Sequence, residues 1–117
     1  IMHKKNQIPI AKMDEPMSSA LLTMTNKSFG CVGVINNKKK LIGIITDGDL
    51  RRNIGDNFFN KKASDIMNKK PTIADQSVLV GEALNIMNTK KITSFFICKN
   101  KEPIGIIHIH DLLRLSN

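Results

Sequence analysis

One pattern of residues occurs twice in these 117 residues, and a chain that repeats itself is constrained to fold as two like units. Met17, Ala20, Leu21 and Met24 follow the i, i+3, i+4, i+7 spacing of a helix that buries one stripe. Val80, Ala83, Leu84 and Met87 repeat that spacing at an offset of 63. Asp14 and Ser77 share the same offset and read as the two N-caps, since each side chain can accept from an unpaired first-turn amide. Pro16 suits the first turn that follows, because its fixed φ and missing N–H cost nothing there.

After each helix stands a β-type run, Cys31-Val32-Gly33-Val34-Ile35 and Ser94-Phe95-Phe96-Ile97-Cys98. A polar turn follows, at 36–40 or 99–102, and then a second apolar run, Leu41-Ile42-Gly43-Ile44-Ile45 and Ile104-Gly105-Ile106-Ile107. Each pair predicts a hairpin. Gly43 and Gly105 are offset by 62, so the first copy carries one extra turn residue, in the place where insertions are tolerated. Short strands at 8–11 and 72–74 precede the long helices, and short helices at 49–54 and 111–115 follow the hairpins. The expectation is an α/β (α+β) chain of two β-α-β-β-α modules, 1–60 and 61–117.

The composition agrees with a small folded protein: 41% hydrophobic and 24% charged residues, with length for one modest core and none to spare for a large enzyme. No apolar run approaches the roughly 18 residues of a membrane span. The first residue is Ile1, with no signal-like segment after it, so the chain reads as a piece of a longer cytoplasmic protein. The net charge of +8 is able to attract phosphates or nucleic acid. Its lysines, however, fall in short turn-like clusters at Lys38 to Lys40, Lys61 and Lys62, Lys69 and Lys70, and Lys90 and Lys91. There is no Trp or Tyr to stack on bases and no recognisable RNA-binding signature, so no nucleic acid is expected as partner, nor, without a spanning run, a membrane. Cys31 and Cys98 lie in strand-like runs without C-x-x-C spacing and read as buried free thiols, not as a metal or redox site.

The stretch Gly43-Ile44-Ile45-Thr46-Asp47-Gly48-Asp49-Leu50-Arg51 resembles the signature of the CBS family: glycine, two aliphatics, Thr or Ser, two variable residues, then Asp. Gly105-Ile106-Ile107-His108-Ile109-His110-Asp111-Leu112 is similar, with His108 where Thr or Ser is usual. Met67, Pro71, Thr72 and Ile73 match the usual opening of a second module, so the resemblance covers nearly the whole chain. It implies two modules about a pseudo-twofold axis, with two clefts that in the family commonly hold adenosine nucleotides or related ligands. Asp49 and Asp111 would accept hydrogen bonds from vicinal ribose hydroxyls, Thr46 would add a hydroxyl, and backbone amides with Lys or Arg would suit a phosphate. The same residues also allow a ligand-free reading in which Thr46 and Asp47 merely cap the next helix.

The finer pattern from Thr46 to Arg52 and from His108 to Arg114, with Ile1-Met2-His3 and Ile8-Pro9, is similar to the C-terminal region of bacterial arabinose-5-phosphate isomerases. In that family a sugar isomerase (SIS) domain precedes the CBS pair and carries catalysis, in a route to Kdo for lipopolysaccharide or capsule. The resemblance therefore implies a regulatory, non-catalytic piece, with no required cofactor, partnered by an N-terminal isomerase domain. Its ligand would be CMP-Kdo, or else AMP or ATP. The alternative is a structural module that dimerises and binds nothing; a homodimer is expected on either reading.

Further candidates flank these motifs. His108 and His110 place imidazoles where the first copy has Thr46 and Gly48, too few at this spacing for a metal site. Arg51, Arg52 and Lys91 suit a ligand phosphate or simple solvation, and Thr72, Thr93 and Ser94 stand at strand ends beside the expected clefts. Met13, Met17, Met24, Met67 and Met87 read as core filler.

Overall fold

A computed structural model describes residues 3–4, 8–27 and 29–115. In chain order the strands are β1 (His3–Lys4), β2 (Ile10–Lys12), β3 (Cys31–Ile35), β4 (Leu41–Thr46), β5 (Ile73–Ala74), β6 (Ser94–Lys99) and β7 (Glu102–His108). The helices are α1 (Met17–Lys27), α2 (Asp47–Asn53), α3 (Ala63–Ile66), α4 (Val80–Lys90) and α5 (Ile109–Leu115), with a 3-10 turn at Phe58–Asn60. These form two compact units, one running continuously over Pro9–Pro71, the other made of Ile1–Ile8 and Thr72–Asn117.

In the continuous unit the sheet order is β2-β3-β4. β2 lies parallel to β3, with Ile10 opposite Gly33, a pairing that needs a crossover, which α1 supplies. β3 and β4 pair antiparallel as the expected hairpin, with Cys31 opposite Thr46. The predicted stripe is the buried face of α1: Met17, Ala20 and Met24 are buried and Leu21 is half-buried. Met17, Ala20 and Met24 pack with Ala11, Val32, Val34, Ile45, Phe58, Ala63 and Ile66 into one core, against which Met13 and Met67 also rest. Burying such aliphatic side chains contributes roughly 1.5–3 kcal/mol apiece before chain entropy is set against it.

The start of α1 departs from the sequence reading. Asp14 does not cap it: the helix begins at Met17, the amides of Ser19 and Ala20 donate to Pro16 O, and Met17 N–H donates to Lys61 O at 2.8 Å. Pro16 is thus at the cap position and not inside the first turn. The same correction holds for α4, capped at Leu79, whose N–H donates to Glu82 Oε1 at 3.1 Å. Ser77 instead donates its own N–H to Asp75 Oδ1 at 2.9 Å, and that bond holds the exposed Asp75 carboxyl below the usual carboxylate range. Pro16 and Leu79 keep the offset of 63, so the repeat is real and only its caps were misplaced.

The second unit has sheet order β1-β7-β6-β5. β5 runs parallel to β6, with Ile73 opposite Phe96, and β6 pairs antiparallel with β7, with Ser94 opposite His108. The hairpin turn is Asn100-Lys101, both left-handed at φ 53° and 68°, the geometry that matches strand twist in a two-residue turn. Ala83, Met87, Phe95, Ile97, Ile107 and Leu112 form the core. Cys31 and Cys98 are buried in their respective strands.

Strand β1 was not anticipated. His3 and Lys4 pair antiparallel with Ile106 and Gly105 on the outer edge of β7. In the other unit Asn68 meets Ile44 of β4 in the same manner. The sequence carries a signal for this: Ile1-Met2-His3-Lys4-Lys5 recurs as Ile66-Met67-Asn68-Lys69-Lys70. Ile1 and Met2 themselves lie outside the described residues.

Candidate ligand-binding site

In each unit the second hairpin strand runs directly into a short helix, and Thr46, Asp49, His108, His110 and Asp111 stand at that junction. The helices begin at Asp47 and Ile109, two residues before the expected starts, so Asp49 and Asp111 occupy the third helical position.

At the first junction Thr46 is extended, at φ −116° and ψ 173°, and caps α2. Asp49 Oδ2 accepts from Thr46 N–H at 2.9 Å and from its hydroxyl at 3.1 Å, while Asp49 N–H lies 3.5 Å from Thr46 Oγ1. Capping is therefore real, but Asp49 and not Asp47 is its second member; Asp47 is exposed in the first turn. Arg52 donates from Nη2 to Asp49 Oδ1 at 2.6 Å. Asp49 is only 7% exposed, and its buried oxygens are engaged by three donors.

Three further residues shape this junction without having been singled out as site residues. Asn53 donates its amide to Asp49 O at 2.7 Å, tying the helix end to its start. Gly48 lies under the Arg52 guanidinium: a β-carbon there would stand 3.2 Å from Nη1. Gly30, left-handed at φ 74°, comes within 3.9 Å of Asp47 Oδ2 at its would-be β-carbon. Arg51 is exposed on the same helix.

The second junction reaches the same design with different chemistry. His108 takes the cap position, and its Nδ1 accepts from His110 N–H at 3.1 Å, doing with an imidazole what Thr46 does with a hydroxyl. Asp111 Oδ2 accepts from His108 N–H at 3.3 Å. The rings of His108 and His110 stack at 4.7 Å, so His110 fills the position held by Gly48 in the first copy. Among the described residues, no three His, Cys, Asp or Glu side chains gather as a metal set.

The hairpin register brings other predicted residues to this junction. Ser94, nearly buried, pairs with His108, and Ile109 N–H donates to Thr93 O at 2.8 Å, with the Thr93 side chain exposed. Thr72 precedes β5, whose parallel register puts it toward the same end of the sheet. Lys91 ends α4 in a left-handed conformation at φ 57°, its N–H donating to Met87 O and its side chain exposed. Thr46, Asp49 and Arg52 thus form one group, and Thr93, Ser94, His108, His110 and Asp111 a second.

Two β-α-β-β-α units, each delivering a capped acidic helix at the end of a hairpin, define a tandem of small α/β modules. They are CBS domains: the family matches residues 1–56 and again 63–117, and the chain belongs to it. It is 44% identical over 116 residues to the uncharacterized protein RP505 of Rickettsia prowazekii, covering 99% of this chain and 36% of the relative. It is 34% identical to the arabinose 5-phosphate isomerase KdsD of Yersinia pestis, covering 97% of this chain and 35% of that protein. The chain thus spans about a third of the length of these relatives. Among solved structures it resembles CBSX2 in complex with AMP, with TM-score 0.83 and 19% identity, covering 98% of this chain and 91% of that one. It also resembles the cytosolic domain of the Mg2+ channel MgtE in complex with ATP, with TM-score 0.82 and 16% identity, covering 98% and 46%. No helix among the described residues is long and apolar enough to cross a membrane.

Proposed function

We propose that this chain is the non-catalytic, ligand-sensing CBS pair of a sugar-phosphate isomerase, binding a nucleotide or nucleotide-sugar at the two acidic helix junctions. The observation that carries the reading is the matched placement of Asp49 and Asp111 at the third position of α2 and α5, each beside a capping side chain. A carboxylate held there can accept from vicinal ribose hydroxyls. The likeness to KdsD supports the isomerase as parent, and the AMP and ATP complexes of CBSX2 and MgtE support a nucleotide as ligand.

CMP-Kdo is the first candidate, since it joins a ribose to a phosphate and a carboxylate, and AMP or ATP are the next. The modules of the working pair are 1–60 and 61–117. Thr46, Asp49, Arg52, Thr72, Lys91, Thr93, Ser94, His108, His110 and Asp111 are the residues assigned to the ligand. The setting is a cytoplasmic homodimer without nucleic acid. A ligand with unequal affinity for two arrangements of the pair would shift the activity of an attached isomerase domain.

Calorimetric titration with CMP-Kdo, CMP, AMP and ATP at fixed ionic strength tests this. Saturable binding that loses the first junction's share on Asp49→Ala and the second's on Asp111→Ala is the expected result. Binding by none of the four would leave the structural, dimerising module as the better account, and binding indifferent to both substitutions would sink the ribose assignment.

A further inference from the structure

The first junction carries a cation of its own. Asp49 Oδ2 is taken twice by Thr46, through a backbone amide that cannot move without unravelling the end of β4. Oδ1 is taken by the Arg52 guanidinium at 2.6 Å. These partners differ in mobility. Asp49 is buried, but the Arg52 side chain is 68% exposed, so its guanidinium can exchange the carboxylate for water. Gly48 gives it room: a β-carbon there would stand 3.2 Å from Nη1, and the guanidinium would have to give way by a few tenths of an ångström. In the second copy His110 stands at the position equivalent to Gly48 and stacks on His108.

A vicinal diol chelates a carboxylate by donating to both of its oxygens, so a ribose seated on Asp49 must displace Arg52 from Oδ1 or share that oxygen with it. A neutral nucleoside offers the displaced guanidinium nothing in return. A nucleotide offers a phosphate, which an arginine fork pairs with in two parallel hydrogen bonds. Resting on the nucleotide reading above, we propose that Arg52 is a displaceable plug on the Asp49 carboxylate, seated on Gly48, that makes the first junction select phosphorylated ligands over their nucleosides.

The test isolates the first junction by placing Asp111→Ala in the background, and compares AMP with adenosine and CMP with cytidine by calorimetry at fixed low ionic strength. With Arg52 present, each nucleotide binds more tightly than its nucleoside. Adding Arg52→Ala raises nucleoside affinity about three- to fivefold, the amount an exposed ion pair can hold back. It also lowers nucleotide affinity, so the ratio of the two collapses. Gly48→Ala, which crowds the guanidinium but keeps its charge, raises nucleoside affinity by less than Arg52→Ala does while preserving the nucleotide's own. If nucleotides bind and Arg52→Ala weakens nucleotide and nucleoside alike, Arg52 merely positions Asp49 and the plug is wrong. If neither class binds the background chain at all, the nucleotide reading fails first and the plug with it.

Discussion

Asn68 and Ile44 exchange both backbone hydrogen bonds, at 2.8 and 3.0 Å, directly beside Gly43. The chain after α3 thereby closes the free edge of β4, which would otherwise present unpaired N–H and C=O groups. The closure is tight: a β-carbon on Gly43 would lie 2.4 Å from Met67 Sδ and 3.0 Å from Asn68 O.

Gly43→Ala should therefore destabilise the fold by about 1–3 kcal/mol, the usual cost of overpacking. Pairing it with Met67→Ala should cost less than the two singly, because the sulfur is the nearest obstacle. Urea unfolding of the four chains measures this, and strict additivity would show that Met67 is not what Gly43 accommodates.

Gly81 is the opposite case. It is exposed in the first turn of α4 with nothing within 4 Å of its would-be β-carbon. Gly81→Ala should raise stability by about 0.5 kcal/mol, by reducing the freedom of the unfolded chain. A lower unfolding midpoint would contradict it.

The cap at α5 makes a prediction about chemistry rather than shape. His108→Ala should cost about 1 kcal/mol through loss of the acceptor for His110 N–H, while His108→Thr should recover most of it by restoring the kind of cap Thr46 provides. Equal losses for Ala and Thr would show that the ring stack with His110, and not the cap, sets the preference.

Burial pushes the Cys98 thiol up to about 11. The folded chain holds this proton where the unfolded chain, near 9, releases it, so its contribution is intact below about pH 9 and is lost as pH rises towards 11. Unfolding titrations should show stability falling on the order of 1–2 kcal/mol across that interval, and Cys98→Ala should flatten the fall. At pH 8 the native thiol should react with an alkylating reagent far more slowly than the denatured one.

What the sequence made legible was whatever rests on short-range periodicity. The stripes of α1 and α4 and the two hairpins follow from spacing, and the hairpin register then puts Ser94 beside His108 without further information. The grouping of Thr46, Asp49 and Arg52 is local, so it too could be read. The caps could not: α1 is started by Pro16 O and by the distant Lys61 carbonyl, whereas Asp14 only looked like a cap. Two-residue β1 has no periodicity to detect, and only its likeness to the stretch around Asn68 marks it. Which partners Asp49 holds, and that Gly48 makes room for one of them, depends on side-chain conformation, which no spacing encodes.

The pairing of His3 with Ile106 makes the two units unequal in time. Pro9–Pro71 is an uninterrupted stretch able to fold as soon as its last residue leaves the ribosome. The other unit is split around it, and its outer strand must wait for β7, closing a loop about a hundred residues long, which is entropically costly and slow to find. The module bearing Asp49 can therefore be complete during synthesis before β1 finds its partner in the module bearing Asp111.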